Sequence, residues 1–530
     1  MIEKNIDFHD DAKSSLINGI NKVADAVSST LGAAGTTVIL EDQTGRPHIT
    51  KDGVTVAKTI NLSEPVEHLA AEIIKQASIK TADEAGDGTT TSIVLARSII
   101  SNAFKKIKEN PKINVTILRE EIDYISEKVC KYLDKKAKPV DKHSVENVAT
   151  ISANNDPTLG KIISQAYNKV GVDGVVTIEE SMRPDHKTYV EIVEGTRIKR
   201  GFQSPYLITD KEKNTVVLDN PFVLISDKKI DTLDDISIPC KAAMNTKRSL
   251  LIISEIEQTV MNVLNVNKAK GIIKVNVLPP EGVGLNRFEL LEDLASMTGA
   301  IVVSDQTGND WNGVTAEFLG EAKKSVSTNK ETILTLNLKK TADAVNEKIE
   351  RIKAIIKNKE DISNDWHYKD RLSRLSGGIA AIFVGAHTEI EMKEKKDRVD
   401  DSICATRAAL EEGILPGGGA ALFHASSTIY WGIEEKEERR AACEILWRSL
   451  REPLKTIVNN SGMPVSEIEE KVGASGRHSY GYDVKNKRIG DMFRYGIIDP
   501  LKVTKMALKN AISVSNTILQ TNCVISNKRA

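Results

Sequence analysis

Aromatic residues make up only 4% of this 530-residue chain, so any core has to be packed from aliphatic side chains. Cysteine is sparse as well. Cys130, Cys240, Cys404, Cys443 and Cys523 are odd in number, scattered, and without C-x-x-C spacing. Such a set argues against a disulfide framework or a zinc cage and fits a reducing compartment. An excess of one charge is also missing. The formal net charge is −1, which argues against a general affinity for nucleic acid. No apolar run is long enough to span a membrane. The start, Met1-Ile2-Glu3-Lys4-Asn5-Ile6-Asp7, is too charged for a signal peptide. These absences predict a cytoplasmic protein with neither membrane nor nucleic acid as partner. No G-x-x-x-x-G-K-[ST] occurs, which excludes a P-loop NTPase, and no G-x-G-x-x-G follows a strand. Internal repeats and low-complexity tracts are absent, and the nine histidines form no ligand cluster.

What is present is an ordinary globular balance of 40% hydrophobic and 28% charged residues, in a length that suggests three or four domains. Residues 11–31 read as an amphipathic helix, with Leu16, Ile20, Val23, Ala24 and Val27 at helical spacing. Residues 37–40 read as a short strand. Long helices are predicted through residue 109 and over 114–134. The texture changes after Pro139. From Val190 to about Val326, short apolar runs at 216–218, 222–225, 250–253, 272–275 and 301–303 alternate with helical patterns, as in an α/β unit. Residues 341–375 are charged and helical, 379–384 read as a strand, and helices return after Glu389. The order helical, α/β, helical suits a middle domain inserted into a helical one.

The most chemically suggestive stretch is Ala85-Gly86-Asp87-Gly88-Thr89-Thr90-Thr91. Two glycines permit a sharp turn close to a ligand. Three threonines open a helix whose unpaired N–H groups and dipole favour an anion. Asp87 adds a hard oxygen suited to Mg²⁺. The same residues also suit a plain capped helix start. Gly417-Gly418-Gly419 likewise serves either a close approach to a nucleotide or a simple turn. Asp400-Asp401 on a helix could orient water or bind a metal, or could be solvated surface.

Taken in order, several pieces resemble the GroEL-type group I chaperonins across nearly the whole chain. They are Thr30-Leu31-Gly32, Ile49-Thr50-Lys51-Asp52-Gly53-Val54, Gly86 to Thr91, Thr150-Ile151-Ser152-Ala153-Asn154 and Glu391 to Lys396. Ala405 to Ala409, Gly417-Gly418-Gly419, Tyr480-Gly481-Tyr482 and Asp499 to Thr504 continue the series. The resemblance implies a multidomain fold. A helical equatorial ATP-binding domain would span 1–136 and 412–530, and a small α/β intermediate hinge domain 137–193 and 380–411. An inserted α/β apical domain would span 194–379. It implies rings of seven, usually stacked as two, with ATP and Mg²⁺ as cofactors. Thr30, Leu31 and Gly32 would contact phosphate, with Ala33 where the family usually has Pro. Lys51 would face the phosphates, and Asp87 would hold Mg²⁺ among Gly88, Thr89, Thr90 and Thr91. Gly418, Asp483, Val484, Lys485 and Asp499 would lie at the base and ribose. Asp483 replaces the usual Asn and lacks its amide donor. Asp52 and Asp401 match the two carboxylates linked to hydrolysis.

The same resemblance implies an apical surface for non-native polypeptides and a GroES-type co-chaperonin, made from Phe202, Tyr206, Leu207, Ser237, Cys240, Asn262, Val266 and Asn267. Ser237, Cys240, Asn262 and Asn267 stand where Leu or Val is usual, which puts GroES docking in doubt and predicts a weakened or altered surface. Helical spacing places Asn262 opposite the face of Ile256, Val260 and Leu264. Two functions follow. One is an ATP-dependent folding chaperonin, favoured by the intact Asp52, Asp87 and Asp401. The other is a ring-forming or partner-binding paralogue with weak ATPase and no general foldase activity, favoured by the polar apical helices.

Overall fold

The computed structural model describes residues 4–41, 45, 47–170, 175–181, 183, 185–211, 213–337, 341–358, 365–376, 378–429 and 436–527. The chain groups into two compact units. One comprises Met1–Asn168, Ile178–Tyr189 and Ile382–Ala530; the other comprises Lys169–Thr177 and Val190–Ala381.

The first unit begins with α1 (His9–Ser28), α2 (Gly53–Thr59), α3 (Pro65–Ala85), α4 (Thr89–Glu109) and α5 (Val115–Lys136), followed by α6 (Lys142–Ser152) and α7 (Pro157–Val170). In α1 the residues that gave the apolar stripe, Leu16, Ile20, Val23, Ala24 and Val27, are all buried. They join Ile74 of α3, Ile93 and Leu95 of α4, and Leu118 and Ile122 of α5 in one aliphatic core. Each such side chain contributes roughly 1.5–3 kcal/mol on burial, which is how a chain poor in aromatics holds together. Helix ends follow local chemistry. Asn114 caps α5 through Thr116 N and Ile117 N. Gly86 closes α3 in the left-handed region, at φ 71°. Two antiparallel ribbons complete this part: Lys4–Phe8 pairs with Cys523–Asn527, and Val38–Glu41 with Pro47–Thr50.

The second unit carries α8 (Ser237–Thr246), α9 (Gln258–Ala269), α10 (Leu285–Thr298), α11 (Ala342–Asn358) and α12 (Asp365–Ser376). Its four-stranded sheet has Phe222–Ile225, Leu250–Ile253 and Val275–Leu278 in parallel, with Gly320–Glu321 antiparallel at the edge. Leu250–Ile253 is buried at every position, as expected of a parallel strand covered on both faces. Two expectations need correction. The apolar run 272–275 is mostly a lead-in, and the strand starts at Val275. Residues 301–303 form no strand and contribute only an isolated bridge from Val303 to Ser226. Apolar runs mark burial, and burial alone does not fix where ladder pairing begins.

The chain then returns to the first unit with α13 (Glu389–Glu412), α14 (Ala420–Ser426), α15 (Glu437–Ser449), α16 (Glu452–Asn460), α17 (Val465–Ala474) and α18 (Leu501–Leu519). Thr388 caps α13 through Glu391 N, and Glu391 accepts in return from His387 N. The middle of α13 is tied to α6 and α7. Ser402 Oγ donates to Ala149 O at 2.7 Å, and Tyr167 OH to Ile403 O at 3.1 Å. Among the described residues no helix is long and apolar enough to cross a membrane.

Candidate functional site

The first unit encloses a cavity of about 450 Å³, a size usual for small-molecule sites. Two helix N-termini reach it and differ in one respect. The start of α2 is satisfied by its own chain: Asp52 accepts from Val54 N at 3.1 Å, Thr55 N at 2.8 Å and Thr55 Oγ1 at 2.7 Å. The start of α4 has Gly88 as its cap residue and no side-chain cap. Its first N–H groups and the positive end of its dipole therefore suit an anion at Gly88–Thr91, which line the cavity. Glycine is required for this arrangement. Gly88 sits at φ 81°, and a Cβ there would lie 2.6 Å from Val503 Cγ1. A Cβ on Gly53 would lie 2.1 Å from Thr90 Oγ1, so that glycine lets the two helix starts meet.

Asp52, Asp87, Asp401 and Asp499 face the same space, with Glu394, Asp397 and Asp483 also on its wall. Asp87 accepts from Gly88 N and, at 3.0 Å, from Ser152 Oγ. Burial raises its pKa above the usual carboxylate value, and the charge of Asp52 adds to the effect against those two bonds. Asp401 is pushed well above the usual value, by burial first and then by Asp52 and Asp87. Asp499 is raised to about 7 by burial and by Asp87, against the N–H of Gly418. Lys51 donates to Asn154 Oδ1 at 3.1 Å, and burial, followed by the charge of Arg398, lowers its pKa. Concentrated negative charge in a low-polarity wall calls for a cation. No cation among the described residues pairs with Asp87. Nor do three or more His, Cys, Asp or Glu gather into a preformed metal cage among those residues. This donor set fits Mg²⁺, which binds through one or two carboxylates together with phosphate oxygens.

At the other end of the cavity, Tyr480–Asp483 pairs with Arg488–Asp491 in a hairpin. Asp483 lines the cavity, but its carboxylate accepts from Asn486 N at 3.1 Å, Asn486 Nδ2 at 2.7 Å and Arg488 Nε at 3.1 Å. Burial would raise its pKa, yet these partners hold it below the ordinary value. Three of its acceptor positions are taken within the hairpin, so the Asp-for-Asn departure acts on that turn first.

The structure brings together Thr30, Leu31, Gly32, Ala33, Lys51, Asp52, Asp87, Gly88, Thr89, Thr90, Thr91, Asp401, Gly418, Asp483, Val484, Lys485 and Asp499 around this one cavity. Sequence reasoning missed Asn147 and Ile497 and, although Ser152, Asn154, Tyr482 and Glu394 lie in matching pieces, gave them no role at the site; it also missed Asp397 and Arg398 on the α13 face. Glu394, Asp397, Arg398 and Asp401 all line the cavity, whereas Asp400 is exposed. Their spacing of three and four residues was the available signal.

In the second unit the residues expected at a binding surface divide. Tyr206 is 76% exposed and Val266 51%, and Asn262 points outward as expected, with Val260 and Leu264 buried. Ser237 and Asn267 are half-buried. One expectation is corrected. Leu207 is fully buried and presents no surface in this conformation, while Cys240 packs against the core and stays half-buried. Phe202 also rests partly on the core. Val263, not foreseen, is 36% exposed beside Val266 on α9.

Residues 23–529 match the model of the TCP-1/cpn60 chaperonin family. Among solved structures, the fold is similar to the chaperonin gp146 from bacteriophage EL 2 (Pseudomonas aeruginosa), crystallised in the presence of ATP-BeFx. Crystal form II aligns with a TM-score of 0.69 and 23% identity, covering 99% of each chain. Crystal form I aligns with a TM-score of 0.63, at the same identity and coverage.

Proposed function

The chain belongs to the TCP-1/cpn60 chaperonin family, and from that premise we propose an ATP-driven chaperonin whose Mg²⁺-dependent hydrolysis moves its domains between client-accepting and closed states. The observation that carries the reading is the meeting of the uncapped α4 start with Asp52, Asp87, Asp401 and Asp499 in one cavity. Gly88–Thr91 and Lys51 bind phosphates. Asp87 would hold Mg²⁺, which would supply positive charge to the phosphates. Asp401, with its raised pKa, orients the attacking water and takes its proton. Asp52 fixes the start of α2 and adds negative charge beside the metal position. Asp499 and the Gly418 turn hold the nucleoside end. The division into equatorial, intermediate and apical domains, assembly into rings of seven and docking of a GroES-type co-chaperonin belong to the same proposal.

The test is steady-state ATP hydrolysis by the purified protein, with and without Mg²⁺, beside Asp401→Ala, with assembly size recorded. Turnover that needs Mg²⁺ and falls by about 10²-fold or more in the variant is expected. An assembled protein with no turnover would sink the reading.

One observation favours a second reading, a ring-forming or partner-binding paralogue without general foldase activity. It is the outward Asn262 on α9, with Asn267 nearby, on the surface proposed for clients. Rescue of a denatured enzyme, with and without GroES, separates the two. Rescue equal to that of a standard chaperonin removes the second; ATPase without capture of non-native protein removes the first.

A further inference from the structure

Three cationic side chains line the cavity: Lys51, Arg398 and Lys485. Lys485 is exposed on the hairpin, at the nucleoside end. Lys51 is bonded to Asn154. Arg398 has no task in the reading above, although it lies on α13 one helical turn before Asp401 and on the same face. Its guanidinium is only partly used. One Nη2–H donates to Glu394 at 2.5 Å, and Nη1 stands 3.8 Å from Asp156, beyond hydrogen-bond reach. Among the described residues its Nε is buried with no hydrogen-bond partner. A guanidinium offers five N–H groups in a fork that matches phosphate oxygens, so this one holds donors in reserve at the cavity wall. Its charge acts on Lys51, which places the two cations within mutual electrostatic range. Around them stand Asp52, Asp87, Asp397 and Asp401. Against so acidic a wall, a second fixed cation beside Lys51 favours entry of a polyphosphate.

We infer that Arg398 is a second phosphate-binding residue, which donates to the terminal phosphate of a bound nucleoside triphosphate and has Glu394 and Asp156 as its partners when no triphosphate is present. The inference rests on the nucleotide reading and deepens it: the cavity tells a triphosphate from a diphosphate through α13. It also couples the two functions of that helix, because Arg398 and Asp401 are set by the same turn. Asp156 is the competing anion. Its Oδ1 accepts from Thr158 N at 2.9 Å and Leu159 N at 3.2 Å at the start of α7, a role Asn fills equally well.

The experiment is calorimetric titration of the full-length assembled protein with ADP and with AMP-PNP, for the unaltered chain, Arg398→Ala, Arg398→Lys and Asp156→Asn. Arg398→Ala is expected to weaken AMP-PNP binding about tenfold or more while ADP binding stays within about twofold, with Arg398→Lys recovering part of the loss. Asp156→Asn is expected to tighten AMP-PNP binding several-fold and leave ADP unchanged. A folding defect cannot produce that gain. Equal losses for both nucleotides in Arg398→Ala, or no change in any variant, overturns the inference while leaving the nucleotide site standing. If the unaltered protein binds neither nucleotide, the nucleotide reading itself fails and the inference falls with it.

Discussion

At the scale of single residues, the cavity is defined by carboxylates kept short of charge compensation. Asp499 gives the cleanest consequence. Its pKa is raised to about 7, mainly by burial, whereas an unfolded Asp titrates near 3.9. Between those values the folded chain keeps a proton that the unfolded chain releases, so this group's contribution to stability is full below about pH 4 and falls until pH passes about 7. Asp499→Asn carries no such proton. Measured without nucleotide, the variant is expected to gain stability over the natural chain as pH rises from 4 to 8, on the order of 1 kcal/mol after allowance for water in the cavity. Melting curves at pH 5 and pH 8 decide the matter, and a difference that does not grow with pH would show that Asp499 titrates normally. Asp401 carries a related prediction in activity. Asp401→Asn should bind nucleotide about as well as the natural chain, yet lose roughly 10²-fold or more in turnover, because the group acts on water rather than on the bound nucleotide.

At the scale of elements, α2 and α4 show why a motif can be read while its use is not. Gly86 to Thr91 was legible because a turn, a helix start and an acidic side chain are contiguous, and local chemistry suffices to describe them. Asp52 was legible only as a matching position; that it caps α2 is a matter of geometry. This double duty yields a prediction. Asp52→Ala removes the cap and should cost about 0.5–2 kcal/mol of stability in addition to any loss of turnover. Asp52→Asn keeps the cap and discards the charge, so its melting temperature should stay near that of the natural chain while turnover falls. Equal turnover in the natural chain and Asp52→Asn would reduce Asp52 to a capping residue. The face of α13 was illegible for a different reason. Glu394, Asp397 and Arg398 sit among many charged residues of an ordinary polar helix, and only tertiary packing against α6 and α7 turns that face toward Asp87. Leu207 and Cys240 mark the converse error. Matching positions on a surface helix or loop do not reveal rotation against the core, and here Leu207 turns fully inward and Cys240 partly so.

At the scale of the whole molecule, exposed apolar side chains bear on assembly and on clients. In the first unit, Ile6, Phe8 and Ile525 project from the terminal ribbon and Ile39 is 71% exposed on the second ribbon. Such side chains support self-association into the proposed ring. In the second unit, Asn262 and Asn267 do not empty the surface proposed for clients, because Tyr206, Val263 and Val266 are exposed. The two readings of function therefore differ over whether that remnant is enough. Tyr206→Ser and Val266→Ser each remove exposed apolar area and should leave folding stability within about 0.5 kcal/mol, since neither side chain packs in the core. If clients bind there, each loss should weaken capture by about 1 kcal/mol per site, roughly fivefold, and repetition around a ring would deepen the effect. Asn262→Leu should act in the opposite direction by adding outward apolar surface. The measurement is suppression of aggregation of a denatured enzyme at fixed chaperonin concentration. Capture that drops in the two Ser variants and rises in Asn262→Leu would place the client site on α9 and the Tyr206 loop. Capture indifferent to all three would remove that surface from client binding and turn the weight of argument toward the paralogue that binds a restricted partner.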